Sequence, residues 1–168
     1  MKFVILSLFN LYIFIEVIIL KNWKVFFISI ISTLLVGILS GLLSMNSMGI
    51  YSFINRPPLS PPSWLFPVVW TILYILMGIS VAIYFIKTNK VPTIYIFQLL
   101  VNFIWPLIFF NLQSYLFSFI VIILLIVLVI NMIQEFSKVT RLAALLQIPY
   151  LLWLLFAAYL NFAIYLLN

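Results

Sequence analysis

The chain has 168 residues, of which 68% are hydrophobic and 6% charged, with a mean hydropathy of +1.39. A soluble domain carries about a quarter charged residues, so there is too little polar surface here to wrap a water-soluble globule. Cysteine and histidine are both absent and only two carboxylates, Glu16 and Glu135, exist. That rules out disulfides and thiol chemistry, removes the usual general base and commonest metal ligand, and leaves hydrolytic and metal-dependent mechanisms poorly supplied. The net charge is +6, but the basic residues lie between apolar runs, as a topology signal does and a nucleic-acid patch does not. The expected fold class is an all-α integral membrane protein, a five-transmembrane-helix bundle with an extra N-terminal hydrophobic segment.

Residues 1–21 form that extra segment. Lys2 and Lys21 bracket an apolar run interrupted by Asn10 and Glu16, with no small-residue cleavage site, so it reads as uncleaved, interfacial or spanning. The membrane domain covers 22–168. Trp23 between Lys21 and Lys24 anchors a membrane face. The first span, 25–45, contains Gly37 and Gly41, a small-xxx-small pair that permits close helix approach. It serves either packing within the chain or a homodimer seam. Residues 46–63 form a long connecting loop, of which 55–63 cannot be a regular helix because of Pro57, Pro58, Pro61 and Pro62; its only charge is Arg56. Further spans follow at 64–86, 92–110, 115–133 and 142–166. Glu135, Lys138 and Arg141 read as a solvated loop between the last two. No internal repeat is evident, which counts against the inverted-repeat architecture of secondary transporters.

The charges orient the bundle. Lys21, Lys24, Lys87, Lys90, Lys138 and Arg141 fall on one side and Arg56 on the other. The positive-inside rule then places the proline-rich loop and the C-terminus outside, in what is expected to be a bacterial cytoplasmic membrane.

Lipid is as apolar as leucine, so polar and indole groups inside spans carry the information. Gln98, Asn102 and Trp105 share one stripe of the third span, followed by Pro106, which should bend the helix or free a carbonyl. Trp70 and Tyr74 share a stripe of the second span. Tyr150 is followed by Trp153, Ala157 and Asn161 on the fifth. At 1.5 Å per residue, Trp70 lies about 9 Å in from the outer face, Trp105 about 8 Å and Asn102 about 12 Å. These depths predict an aromatic-walled pocket beneath the proline-rich loop, suited to a flat and largely apolar ligand.

Five segments then match a known family. They are Pro57-Pro58-Leu-Ser-Pro61-Pro62-Ser-Trp64; Phe66 with Val69-Trp70-Thr71-Ile-Leu-Tyr74-Ile-Leu-Met77-Gly78; Gln98, Asn102, Trp105 and Phe109-Phe110; Ser137-Lys138-Val-Thr-Arg141-Leu-Ala143; and Pro149-Tyr150-Leu-Leu-Trp153 with Phe156-Ala157-Ala158-Tyr159-Leu160-Asn161. The chain from about Trp23 to Asn168 resembles the TspO/MBR family, the tryptophan-rich sensory proteins that include the mitochondrial translocator protein. The resemblance implies a five-helix bundle, usually a homodimer, that binds porphyrins and haem as ligands and requires no cofactor. It implies a pocket near Trp70, Asn102, Trp105, Trp153, Ala157 and Asn161, capped by the first loop with Arg56, Pro61 and Trp64. Gln98, Tyr74 and Tyr150 complete the expected ligand set. Light-dependent porphyrin degradation in some members would fall here to Trp70 and Trp153. The alternative is a carrier of tetrapyrroles or lipids. Two departures stand out. Pro67 and Val68 occupy positions that many members fill with glycine and proline. No basic residue follows Tyr159 or Tyr165, which counts against sterol binding.

Overall fold

The computed structural model describes residues 21–168. Residues 1–20 of the expected N-terminal segment lie outside the described residues. Helix α1 (Trp23–Ser44) runs on into a 3-10 helical stretch, Met45–Ser52. Helix α2 is Leu65–Thr88, and α3 is Thr93–Pro106, extended by a π-helical turn over Leu107–Asn111. Helix α4 is Tyr115–Val139, α5 is the short Arg141–Leu145, and α6 is Ile148–Leu167. The described residues contain no strand. They contain five helical segments long and apolar enough to cross a membrane. Within lipid every backbone amide must be satisfied inside its own segment, which leaves such a sequence little choice but helix.

Local chemistry sets the breaks. Thr93 follows Pro92, whose extended backbone starts α3. Asn89 ends α2 in the left-handed conformation, φ 54°, a geometry asparagine tolerates better than most residues. Pro106 has no amide hydrogen for Asn102, and the helix widens into the π turn directly after it. Pro149 sits in the first turn of α6, where its missing amide costs nothing.

Two expectations are corrected. Only about half of residues 46–63 is irregular. Met45–Ser52 contains no proline and stays helical in the tighter form. The charged turn is not a loop either. Helix α4 continues to Val139, so Glu135 and Lys138 lie on its last turns as an exposed pair 3.1 Å apart, and Thr140 alone is extended.

The helices meet through small residues and buried polar bonds. At Gly78 of α2 an added Cβ would lie 2.6 Å from the Cα of Ile30 in α1, and at Gly37 it would fall on the Tyr74 ring. The close approach that Gly37 permits is used inside the chain, on α2. Nothing lies within 4 Å of a Cβ at Gly41. Three polar bonds stitch α1 to α3: Thr33 Oγ1 to Tyr95 Oη at 2.7 Å, Ser40 Oγ to the Phe103 carbonyl at 2.7 Å, and Asn111 Nδ2 to the Leu43 carbonyl at 3.0 Å. Ser80 Oγ donates to the Ala143 carbonyl at 2.6 Å, tying α2 to α5. The bundle thus has a basic end, with Lys87, Lys90, Lys138 and Arg141, and a loop end, with Arg56 and the C-terminus.

Candidate ligand pocket

A cavity of about 460 Å³ opens in the loop-end half of the bundle between α1, α2 and α3. That falls in the range of small-molecule sites. Trp70, Tyr74, Trp105, Phe66 and Phe110 supply its aromatic wall, and Tyr51 of the 3-10 stretch closes its upper end. The Trp70 and Trp105 rings stack with centroids 6.5 Å apart and planes 29° apart. Trp70 also lies 5.6 Å from Tyr74 and 6.2 Å from Tyr150. The rings buttress one another, so the wall is set before any ligand arrives.

The floor is polar. Tyr74 Oη donates to Asn102 Oδ1 at 2.6 Å, and Asn102 Nδ2 donates to Tyr150 Oη at 2.7 Å. One asparagine thereby clasps α2, α3 and α6 across the bundle axis. All three residues are buried. A second asparagine knot lies behind the wall: Asn161 Oδ1 accepts from Trp105 Nε1 at 3.3 Å and from Ser118 Oγ at 2.9 Å, while its Nδ2 donates to the Ala157 carbonyl at 2.8 Å. It fixes the azimuth of the Trp105 ring.

The proline-rich loop is tied down. Tyr51 Oη donates to the Pro61 carbonyl at 3.1 Å and Tyr159 Oη to the Pro58 carbonyl at 2.9 Å. Asn55 and Asn168 exchange two bonds, at 2.9 and 3.0 Å, and Asn55 Nδ2 donates to the Leu167 carbonyl at 3.2 Å. The Arg56 guanidinium lies 5.2 Å over the Tyr51 ring, a cation–π arrangement that holds a positive charge beside the upper wall. Asn168→Ala is expected to loosen this strap with little effect on global stability, about 1 kcal/mol or less for exposed bonds. Faster limited proteolysis between residues 53 and 63, with an unchanged melting temperature, is the readout.

The residues expected at the ligand separate into groups. Trp70, Tyr74, Asn102 and Trp105 line the cavity together. Pro61 is buried and its carbonyl holds the Tyr51 hydroxyl, and Arg56 lies over the same ring. Trp64 is 65% exposed and takes no part in the wall. Gly41 lines the cavity, and Gly37 does so beside Tyr74. Helix α6 stands one layer back. Tyr150 reaches the floor through Asn102, Asn161 and Ala157 sit behind Trp105, and Trp153 meets only Phe66 of the lining rings, at 6.0 Å. Gln98 is fully buried below the floor, and among the described residues its amide has no hydrogen-bond partner.

Sequence reasoning missed half of the wall. Leu34, Ile38, Leu42, Met45 and Met48 all line the cavity. Helix α1 does carry a polar stripe, Ser29, Thr33, Ser40 and Ser44, but Thr33 and Ser40 spend it on α3, and the apolar lining residues beside it carry no mark of their own. Tyr51 was the available signal, a lone tyrosine just before the prolines.

Comparison with known proteins agrees with this architecture. The chain matches the TspO/MBR family over residues 29–167. It is 40% identical to the tryptophan-rich protein TspO of Archaeoglobus fulgidus over 148 residues, 83% of this chain and 94% of that protein. With the tryptophan-rich protein TspO of Chlorobaculum tepidum the identity is 40% over 124 residues, 70% and 78% of the two chains. The human translocator protein is 30% identical over 122 residues, 68% of this chain and 72% of that one. With five membrane-length helices, an aromatic wall built on α2 and α3, and a match spanning nearly the whole described chain, this protein belongs to the TspO/MBR family as an integral, multi-pass membrane protein.

Proposed function

We propose that the protein is a membrane receptor or sensor that holds a porphyrin, protoporphyrin IX or haem, in the cavity between α1, α2 and α3. The observation that carries this reading is the stacked Trp70–Trp105 wall above a polar floor, with Arg56 at the upper rim. An aromatic wall suits a flat aromatic body, and the guanidinium suits carboxylates left at the membrane surface. The chain lacks histidine and cysteine, so the ring faces and edges provide the recognition. The clasp of Tyr74, Asn102 and Tyr150 closes the cavity toward the basic end, which supports holding a ligand over passing it through the bundle. Light-dependent chemistry on the porphyrin would draw on Trp70, which lines the cavity, before Trp153, which stands behind Phe66. We place the protein in a bacterial cytoplasmic membrane as a homodimer, loop end outward, on the positive-inside argument and the family reading.

Titration with protoporphyrin IX in the dark, followed by tryptophan fluorescence, tests the reading. Saturable binding at one site per chain is expected, with most of the quenching lost in Trp70→Phe. Arg56→Ala should weaken the free dicarboxylic porphyrin about fivefold, the scale of one exposed charge pair, and leave its dimethyl ester unchanged. Equal losses for acid and ester would remove Arg56 from the site. Absence of saturable binding would leave the family membership intact and overturn the porphyrin assignment.

A further inference from the structure

Helices α1 and α2 run antiparallel and touch closely at two levels toward the basic end. Gly78 faces the Ile30 backbone, and one to two turns farther along α1, Gly37 faces Tyr74. Another turn toward the loop end, at the edge of the cavity, the contact is gone: among the described residues nothing stands within 4 Å of a Cβ at Gly41. The two helices therefore meet at the basic end and part toward the loop end. The parting exposes the cavity sideways. Its lining residues Ile38, Leu42 and Met45, spaced i, i+4 and i+7 on α1 and its extension, are 54%, 58% and 60% exposed. On the facing edge of α2 the lining residues Pro67 and Thr71, again i and i+4, are exposed as well.

The other boundaries are shut. The α1–α3 seam is stitched by Thr33–Tyr95, Ser40–Phe103 and Leu43–Asn111, and the α3 residues of the lining, Asn102, Trp105, Pro106 and Phe110, are buried or half-buried. Over the top, the strap is held to Tyr51, Tyr159 and Asn168 by the bonds given above. The floor is the asparagine clasp. The gap between α1 and α2 is flanked mainly by exposed apolar side chains, the chemistry of a surface that suits lipid.

We infer that the cavity is loaded laterally, from the lipid leaflet at the loop end, through a portal between α1 and α2 whose threshold is Gly41, and that the proline-rich loop is a fixed roof and not the gate. The ligand class this admits is an amphiphile already dissolved in the bilayer: a flat apolar body that slides in past Ile38, Leu42 and Thr71, with its polar groups kept at headgroup level near Arg56. A side chain at Gly41 would stand in the doorway without touching the wall behind it. The inference deepens the porphyrin reading and rests on it for the ligand, but the portal itself is testable without porphyrin.

The chain has no cysteine, so a single thiol placed inside reports the route. Ser40→Cys puts one at a buried position in the lining. In lipid nanodiscs, where both faces are open to reagent, a membrane-partitioned pyrene maleimide should label it faster than a charged sulfonated maleimide. Adding Gly41→Trp should slow the pyrene reagent about tenfold, a change on the scale that single substitutions impose on association rates. Gly41→Leu should slow it less, and it serves if the tryptophan variant fails to fold. In a separate protein, a disulfide between Asn55→Cys and Asn168→Cys should lock the strap and leave the association rate of protoporphyrin IX unchanged. Faster labelling by the charged reagent, or no effect of either Gly41 variant in folded protein, would overturn the portal. Slow labelling by both reagents would do so too, by showing the gap covered by a second copy of the chain. The portal labelling pattern together with no saturable porphyrin binding would overturn the porphyrin reading and leave the portal standing.

Discussion

Gly78→Val is expected to destabilise the protein by about 3 kcal/mol or more, the upper end for overpacking. An added Cβ at this position would lie 2.6 Å from Ile30 Cα and 3.0 Å from Ile30 N. Overpacking against a side chain is relieved by a new rotamer, but here the obstacle is backbone, and relief requires α1 to move away from α2. In lipid there is little hydrophobic gain to offset such a move, because helix association depends on close van der Waals contact. Thermal unfolding in detergent measures the effect. Gly41→Ala is the internal control. Its Cβ meets nothing within 4 Å, and alanine is the better helix former by about 0.5–1 kcal/mol. That variant should be as stable as the parent or slightly more so. Equal destabilisation at both positions would show that the two helices are not held by the Gly78–Ile30 contact.

Asn102→Leu is the second large effect, an expected loss of about 2–4 kcal/mol. The change strands two hydroxyls, those of Tyr74 and Tyr150, each bonded to the same amide and both buried. An unpaired buried polar group costs about 1–3 kcal/mol. Measured hydrogen bonds between membrane helices average nearer 0.6 kcal/mol, because the groups often find other partners. The larger scale applies here because Tyr150 is wholly enclosed. The decisive comparison adds Tyr74→Phe and Tyr150→Phe to Asn102→Leu. With all three polar groups gone, most of the lost stability should return, giving a coupling energy above about 1 kcal/mol. Additive losses across the three sites would mean the clasp is not a unit. The single Asn102 variant should also lose its ligand, since the floor of the cavity is then unpinned.

Much of this protein is legible from the chain alone, and each part for a definite reason. Composition forces helices, because a chain that is 68% hydrophobic in lipid must satisfy its backbone internally. Depth is legible because the helical rise is constant: Trp70, Asn102 and Trp105 were expected in one half of the bundle, and there they line one cavity. The break after Pro106 follows from a missing amide hydrogen, and the irregular path of the loop from the prolines that deny it a helix of its own.

Azimuth and neighbourhood are different. Rise along an axis says nothing about which helices stand side by side. Tyr150, Trp153, Ala157 and Asn161 were expected at the pocket, yet α6 stands behind α2 and α3, so they support the wall rather than form it. The polar stripe of helix α1, Thr33, Ser40 and Ser44, marks its packed face, yet the apolar Ile38, Leu42 and Met45, which nothing in the sequence singles out, line the cavity and its opening. The same limit governs the two glycines. Their spacing announces a close approach, but only the tertiary structure decides that Gly37 meets Tyr74 while Gly41 meets nothing. What the chain determined by itself was class, depth and local breaks, because those depend on composition and on bonds within a few residues. Which faces pair, and where a gap is left between them, was decided by side chains far apart in sequence filling the same space.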